Sequence, residues 1–259
     1  MTTEFSRRKF LSLATAAMGS QLVSFRSRAE AGSSVTLAQA MYKGGQWMPR
    51  PSALRRLSWE IHKRTAVNMG LEPAVVSLKP GELASSPFLY LAGDRPFSMP
   101  GQDSLDALAR FIRYGGFLLI DTAHTTDGDS VGFIKSASEM VKALQLSPNS
   151  SVELSPLDPG HVIYRSFYMI KRPEGRVRGP DHMQAFMLED RAAIVMTDHD
   201  LGGAWARDNF GNWEHEVVPG GNTQRENGFQ LGINLLLYAM CLDYKDDEPH
   251  LRFFKKRKP

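Results

Sequence analysis

Three short segments of this sequence place ionisable side chains directly after apolar runs: Gly93-Asp94-Arg95, Asp121-Thr122-Ala123-His124 and Asp198-His199-Asp200. Carboxylate oxygens suit hard cations and imidazole suits zinc, iron or nickel, so these four Asp and two His, if they meet, would serve a divalent metal or an acid/base centre. Asp121, His124, Asp198 and His199 are the candidate metal ligands, and an ion held there would activate water for hydrolysis. No spacing in the chain matches a metal signature such as the paired-histidine helix motif. Each residue also has a plain structural use, because an Asp at a strand end caps the next helix or closes an Asx turn. That use is the expectation for Asp94 and Asp200. For Asp121 both readings stay open, since a carboxylate following a fully buried strand is costly unless it is paired. His62, His182, His215 and His250 have no supporting neighbours in sequence.

Other chemistries find less support. There is no Gly-x-Ser-x-Gly nucleophile elbow and no phosphate-binding glycine loop; Pro219-Gly220-Gly221 lacks both the glycine spacing and the Lys. That Gly pair could offer backbone amides to an anion at a helix start, though ordinary capping explains it as well. Cys241, the single cysteine, falls in the apolar run Gly232 to Leu242, which reads as a buried helix where a thiol is inert packing. The stretch from Leu201 to Gly221 reads as a long irregular loop carrying Trp205, Phe210, Trp213, Glu214 and His215, either a binding loop or one packed down by its aromatics. Lys171, Arg172, Arg176 and Arg178 read as a solvated basic surface.

The elements that must position these groups follow from hydrophobic periodicity. Val35 to Tyr42 predicts a strand, and Leu54, Leu57 and Ile61 recur at helical spacing up to Arg64. Ala74 to Leu78, Pro87 to Ala92 and Phe117 to Ile120 predict strands buried on both faces. Between the last two, Leu105, Leu108, Ala109 and Ile112 mark one face of a helix over Ser104 to Tyr114 that ends at Gly115 and Gly116. A helix over Phe133 to Leu146 and a strand over Ala192 to Thr197 follow, separated by a polar, proline-rich middle. A last helix begins with Thr223 and Glu226 in capping-box spacing. Strands alternating with helices predict an α/β fold, a three-layer sandwich with a mostly parallel sheet. In such a sheet ligands lie beyond the carboxyl ends of the strands, where the three polar segments would converge. Asp94, Asp121, His124, Asp198, His199, Trp205 and Trp213 are therefore the candidate ligand-binding residues.

Composition narrows the partners. The chain has 259 residues, 42% hydrophobic and 23% charged, with a formal net charge of +3. Residues 1–31 carry five of the 31 Lys/Arg and two of the 28 Asp/Glu, so the remainder is balanced at 26 of each. A balanced chain lacks the positive groove that a nucleic-acid binder needs. Ser6-Arg7-Arg8-Lys9-Phe10-Leu11 has the form of a twin-arginine export motif, followed by a modestly apolar stretch and Ala29-Glu30-Ala31, a small-x-small cleavage site. The reading is a signal peptide over 1–31 cleaved after Ala31, a single α/β domain over 32–245 and a charged basic tail over 246–259, placed in the periplasm. The apolar stretch is too short and too polar to span a bilayer stably. Partners would be periplasmic or inner-membrane proteins, with weak contact between the tail and anionic headgroups.

One family shares the order of these motifs. Tyr42, Gly44, Gly45 and Trp47; Arg64 and Thr65; Pro87-Phe88-Leu89-Tyr90 followed by Gly93; Gly115 to Asp121; His161, Ile163 and Tyr164; and Gly232-Ile233-Asn234-Leu235 with Tyr238 and Ala239 resemble the bacterial family called domain of unknown function 4159. The resemblance spans about residues 35 to 242. It implies a flavodoxin-like sandwich similar to class I glutamine amidotransferases but without their catalytic triad. Thr122 and Gly160 stand where family members often carry acidic residues, which weakens a metal site built on paired acids. The resemblance supplies a fold without a reaction. The expected role is non-catalytic binding of a ligand or protein at the carboxyl edge of the sheet, with a metal-dependent hydrolase as the alternative.

Overall fold

A computed structural model of the chain describes residues 34–146 and 152–241; the predicted export segment and basic tail lie outside them. Strand β1 (Ala38–Met41) leads to helix α1 (Ala53–Arg64), strand β2 (Ala74–Ser77), strand β3 (Phe88–Gly93), helix α2 (Gln102–Arg113) and strand β4 (Phe117–Thr122). Helix α3 (Ser130–Ala143), strands β5 (Ser155–Pro156), β6 (Gln184–Leu188) and β7 (Arg191–Thr197), the short helix α4 (Leu201–Trp205) and helix α5 (Gly221–Met240) follow.

The strands form one seven-stranded sheet in the order β2-β1-β3-β4-β7-β6-β5. The first five are parallel, and β6 and β5 add antiparallel strands at one edge. Successive side chains of a strand point to opposite faces, and the central strands bury both. Phe88, Tyr90, Phe117 and Leu119 pack with α1, α4 and α5, whereas Leu89, Leu91, Leu118 and Ile120 pack with α2 and α3. The result is a three-layer α/β fold. Helices α1 and α2 bury the apolar stripes their periodicity announces, Leu54, Leu57 and Ile61 in one and Leu105, Leu108 and Ile112 in the other. Helix α2 stops where Gly115 takes φ 99°, a conformation that costs glycine nothing.

Several local expectations are corrected. Strand β2 lies at the sheet edge with Val75 51% exposed, because a short apolar run does not distinguish an edge strand from a central one. Strand β4 runs on to Thr122, so Asp121 sits within it rather than in a loop. Helix α5 starts at Gly221 with no side-chain cap, and Glu226 instead takes Arg64 Nη2 at 3.0 Å. Cys241 is exposed at the end of α5. The segment after β7 is not irregular throughout, since Leu201–Trp205 is helical and fully buried.

Candidate functional site

Strands β3, β4 and β7 are parallel neighbours, with Gly93 paired to Thr122 and Asp121 to Thr197. Their carboxyl ends therefore open on one edge, and the three polar segments meet there. The Thr125 hydroxyl donates to Asp94 at 2.6 Å, His124 Nε2 bonds Asp198 Oδ1 at 2.8 Å, and the Leu201 and Gly202 amides donate to Asp121 at 3.0 and 2.8 Å.

At the centre is Asp200, fully buried and left-handed at φ 52°. Its Oδ1 caps α4 through the Gly203 amide at 2.9 Å and takes Arg50 Nε at 3.1 Å. Its Oδ2 takes Arg50 Nη2 at 2.6 Å and Arg176 Nε at 2.5 Å. Burial works to raise its pKa, but the ion pairs with Arg50 and Arg176 prevail and hold the carboxyl below its ordinary range. The same two guanidiniums donate to the His124 carbonyl, Arg50 from Nη2 at 3.0 Å and Arg176 from its own Nη2. One buried carboxylate thus ties together the segments around residues 50, 124 and 176.

In front of this knot lies a cleft of about 430 Å³ lined by Arg50, His124, Thr125, Thr126, Arg176 and His215. The two imidazoles are biased in opposite directions. Asp198 only accepts, so His124 carries its proton on Nε2, and that bond, ahead of the opposing effect of burial, raises its pKa. A guanidinium only donates, so Arg50 Nη1, 3.0 Å from His215 Nε2, makes that nitrogen an acceptor and places the proton on Nδ1. Burial first, then the charge of Arg50, lowers the pKa of His215 and keeps it neutral.

The other candidates stand elsewhere. Asp121 is buried behind the cleft and accepts from Tyr90 at 2.6 Å. His199 is buried with both nitrogens engaged, Nε2 by the Pro180 carbonyl at 2.8 Å and Nδ1 by the Thr197 hydroxyl at 2.6 Å. Asp94 is held by Arg95 at 2.8 and 3.0 Å, and that partner, ahead of burial, lowers its pKa. Trp205 is a core residue whose Nε1 donates to the Gly228 carbonyl at 2.9 Å, which corrects its assignment to a binding loop. Trp213 stacks with Arg225 at 4.3 Å and Arg207 at 4.9 Å and is not among the residues that line the cleft.

The proposed metal set therefore does not fit an ion. His124 and Asp198 touch, but Asp121 and His199 spend their donor atoms on the chain itself. Among the described residues no group of three His, Cys, Asp or Glu is placed to share a metal. Conversely, sequence reasoning missed Arg50, took Arg176 for solvated surface and set His215 aside, yet all three line the cleft. The one signal available was energetic, because a buried Asp200 requires a cation that its neighbours in sequence do not supply.

Residues 36–240 match the model of a protein family described as a domain of unknown function, DUF4159. No curated protein matches the chain.

Proposed function

The chain belongs to the DUF4159 family, and we propose that it is an exported anion-binding domain that takes a small ligand in the cleft at the carboxyl edge of its sheet. The observation that carries this reading is the lining. Two guanidiniums and two imidazoles face one cleft, with Asp200, among the described residues, the one carboxylate bound directly to those guanidiniums and Asp198 engaged by His124. Fixed cationic donors in a partly desolvated cleft favour an anion more than the same groups would in water. The location agrees with the general rule for open α/β sheets, in which ligands bind outside the carboxyl ends of the strands.

The finer fold assignment has support of the same kind. Strands β2-β1-β3-β4-β7 follow the 2-1-3-4-5 order of flavodoxin-like sheets. A relation to class I glutamine amidotransferases would be one of scaffold alone, because the single cysteine, Cys241, ends α5 far along the chain from any strand-to-helix elbow. Among the described residues the hydrolase alternative has no assembled ligand set to support it.

The reading is tested by thermal unfolding of the mature protein with citrate, phosphate or sulfate against chloride at constant ionic strength. At least one of these anions raises the Tm of the wild type by several degrees, as saturation of a site about a hundredfold above its Kd requires. The shift is lost in Arg176→Gln, each variant being compared with itself in chloride. Equal Tm values in all four salts sink the proposal.

A further inference from the structure

We infer that the anion is a tetrahedral oxyanion that still carries a proton, hydrogen phosphate being its simplest member. The inference rests on the anion-binding reading and follows from which hydrogen-bonding groups of the cleft are already spent. Arg50 uses Nε and Nη2 on Asp200, Nη2 again on the His124 carbonyl, and Nη1 on His215. Arg176 uses Nε on Asp200 and Nη2 on the His124 carbonyl. Among the described residues, Arg176 Nη1, His215 Nδ1 and the Thr126 hydroxyl make no hydrogen bond, and because each guanidinium Nη carries two N–H groups, one on Arg50 Nη1 and one on Arg176 Nη2 remain as well.

They come from separate stretches of chain around one cleft. A planar carboxylate takes its strongest bonds in one plane from a single guanidinium fork; the Nε fork of each arginine is closed, and a carboxylate on the end-on Nη fork of Arg176 would leave the donors of the other walls unmatched. Oxygens that radiate tetrahedrally can take one donor each from different walls. The remaining group differs in kind. In its neutral form His124 keeps its Nε2 proton on Asp198, which leaves Nδ1 as a lone pair with no partner among the described residues. An oxyanion with only acceptors sets its own lone pairs against that nitrogen, whereas hydrogen phosphate donates its O–H to it. The cleft thus offers donors on several walls and, in neutral His124, a nitrogen that can only accept, the complement of a tetrahedral anion with one proton.

Calorimetric titration repeated at stepped pH from about 7 to about 9.5 separates the cases, because hydrogen phosphate keeps its last proton throughout while rising pH takes His124, whose pKa Asp198 raises, toward the neutral form that accepts. The probes are inorganic phosphate, sulfate, methyl phosphate, whose dianion has no O–H, and malonate. Phosphate is expected to bind at least about tenfold more tightly than the other three, a margin fitting one hydrogen bond to a charged group. Thr126→Val, at an exposed position, weakens phosphate by about tenfold without disturbing the fold. His124→Phe, checked by circular dichroism, abolishes the preference for phosphate over sulfate while leaving residual binding of both. Sulfate or methyl phosphate binding as tightly as phosphate overturns the shared proton, and malonate binding more tightly overturns the tetrahedral class; in both cases the anion cleft itself stands. Binding of none of the probes overturns the cleft reading together with this one.

Discussion

Asp121 joins the end of β4 to the start of α4, and its chemistry gives the site a pH-dependent foundation. Burial, then the negative charge of Asp200, pushes its pKa up to about 7 against three donors that favour the carboxylate. In the unfolded chain the group titrates near 3.8. Between those values the native chain keeps a proton that the unfolded chain has lost. Stability is therefore lost as pH rises, by about 1.4 kcal/mol per unit, and the loss levels off above the folded value. Buried neutral His199 works in the opposite sense, since its lowered pKa adds stability as pH rises through the imidazole range. Asp121→Asn isolates the carboxyl term. Urea unfolding at pH 5 and pH 8 should show the wild type declining by about 2–3 kcal/mol more than the variant over that interval. The variant should itself be weaker at pH 5 by about 1–3 kcal/mol, because an amide oxygen and nitrogen cannot satisfy the Tyr90, Leu201 and Gly202 donors together. Parallel pH profiles would show that Asp121 does not titrate in this window. At this scale the sequence disclosed the carboxylates and His124, because polar residues at the ends of apolar runs stand out. It hid Arg50, which reaches Asp200 across 150 positions of chain, since nothing local marks a pairing made at that distance.

The element that organises the site is α4, five residues whose amino end is held by two carboxylates. Asp121 takes the Leu201 and Gly202 amides and Asp200 takes that of Gly203, so the free N–H groups of the helix start are met inside the protein. Close packing leaves no space for a side chain at Gly202, where a Cβ would stand 2.6 Å from the Tyr90 hydroxyl and 3.2 Å from Arg50 Cβ. Gly202→Ala must push Tyr90 off Asp121 or shift Arg50, and a loss of about 1–3 kcal/mol in urea unfolding is expected. Val131→Ala is the control, since Val131 is 74% exposed on α3, and its effect should stay within about 0.5 kcal/mol. Equal effects at the two positions would mean that the contact at Gly202 relaxes freely. Helix α4 was invisible in the sequence because Leu-Gly-Gly-Ala-Trp has poor helix propensity and forms through its tertiary partners. Strand β6 was missed for a related reason. It turns into β7 through Glu189-Asp190, with Glu189 at φ 56°, and lacks the Gly or Asn that normally announces such a hairpin. The parallel strands β3, β4 and β7 were legible because burial on both faces leaves near-continuous apolar runs.

At the scale of the whole molecule, the core and the proposed export through a twin-arginine signal make compatible demands. The sheet is covered on both faces by packed helices, and with one cysteine in the chain no intramolecular disulfide can contribute. With no intramolecular disulfide to form, folding does not call for an oxidising compartment, which is compatible with the proposed closure before export. No helix among the described residues is long and apolar enough to cross a membrane. Twin-arginine export, which carries folded proteins, suits a chain of this kind, and the prediction turns on Arg7 and Arg8. In cells expressing the full chain, the wild type should be recovered from the periplasm with Gly32 as its first residue. The Arg7→Lys, Arg8→Lys double variant should accumulate in the cytoplasm at full length. Its domain should be as resistant to limited proteolysis as the exported protein, since resistance reports the closed core rather than the compartment. A double variant exported as efficiently as the wild type would remove the twin-arginine assignment. One that is retained but readily degraded would mean that folding depends on a condition found outside the cytoplasm, despite a core that can close without a disulfide.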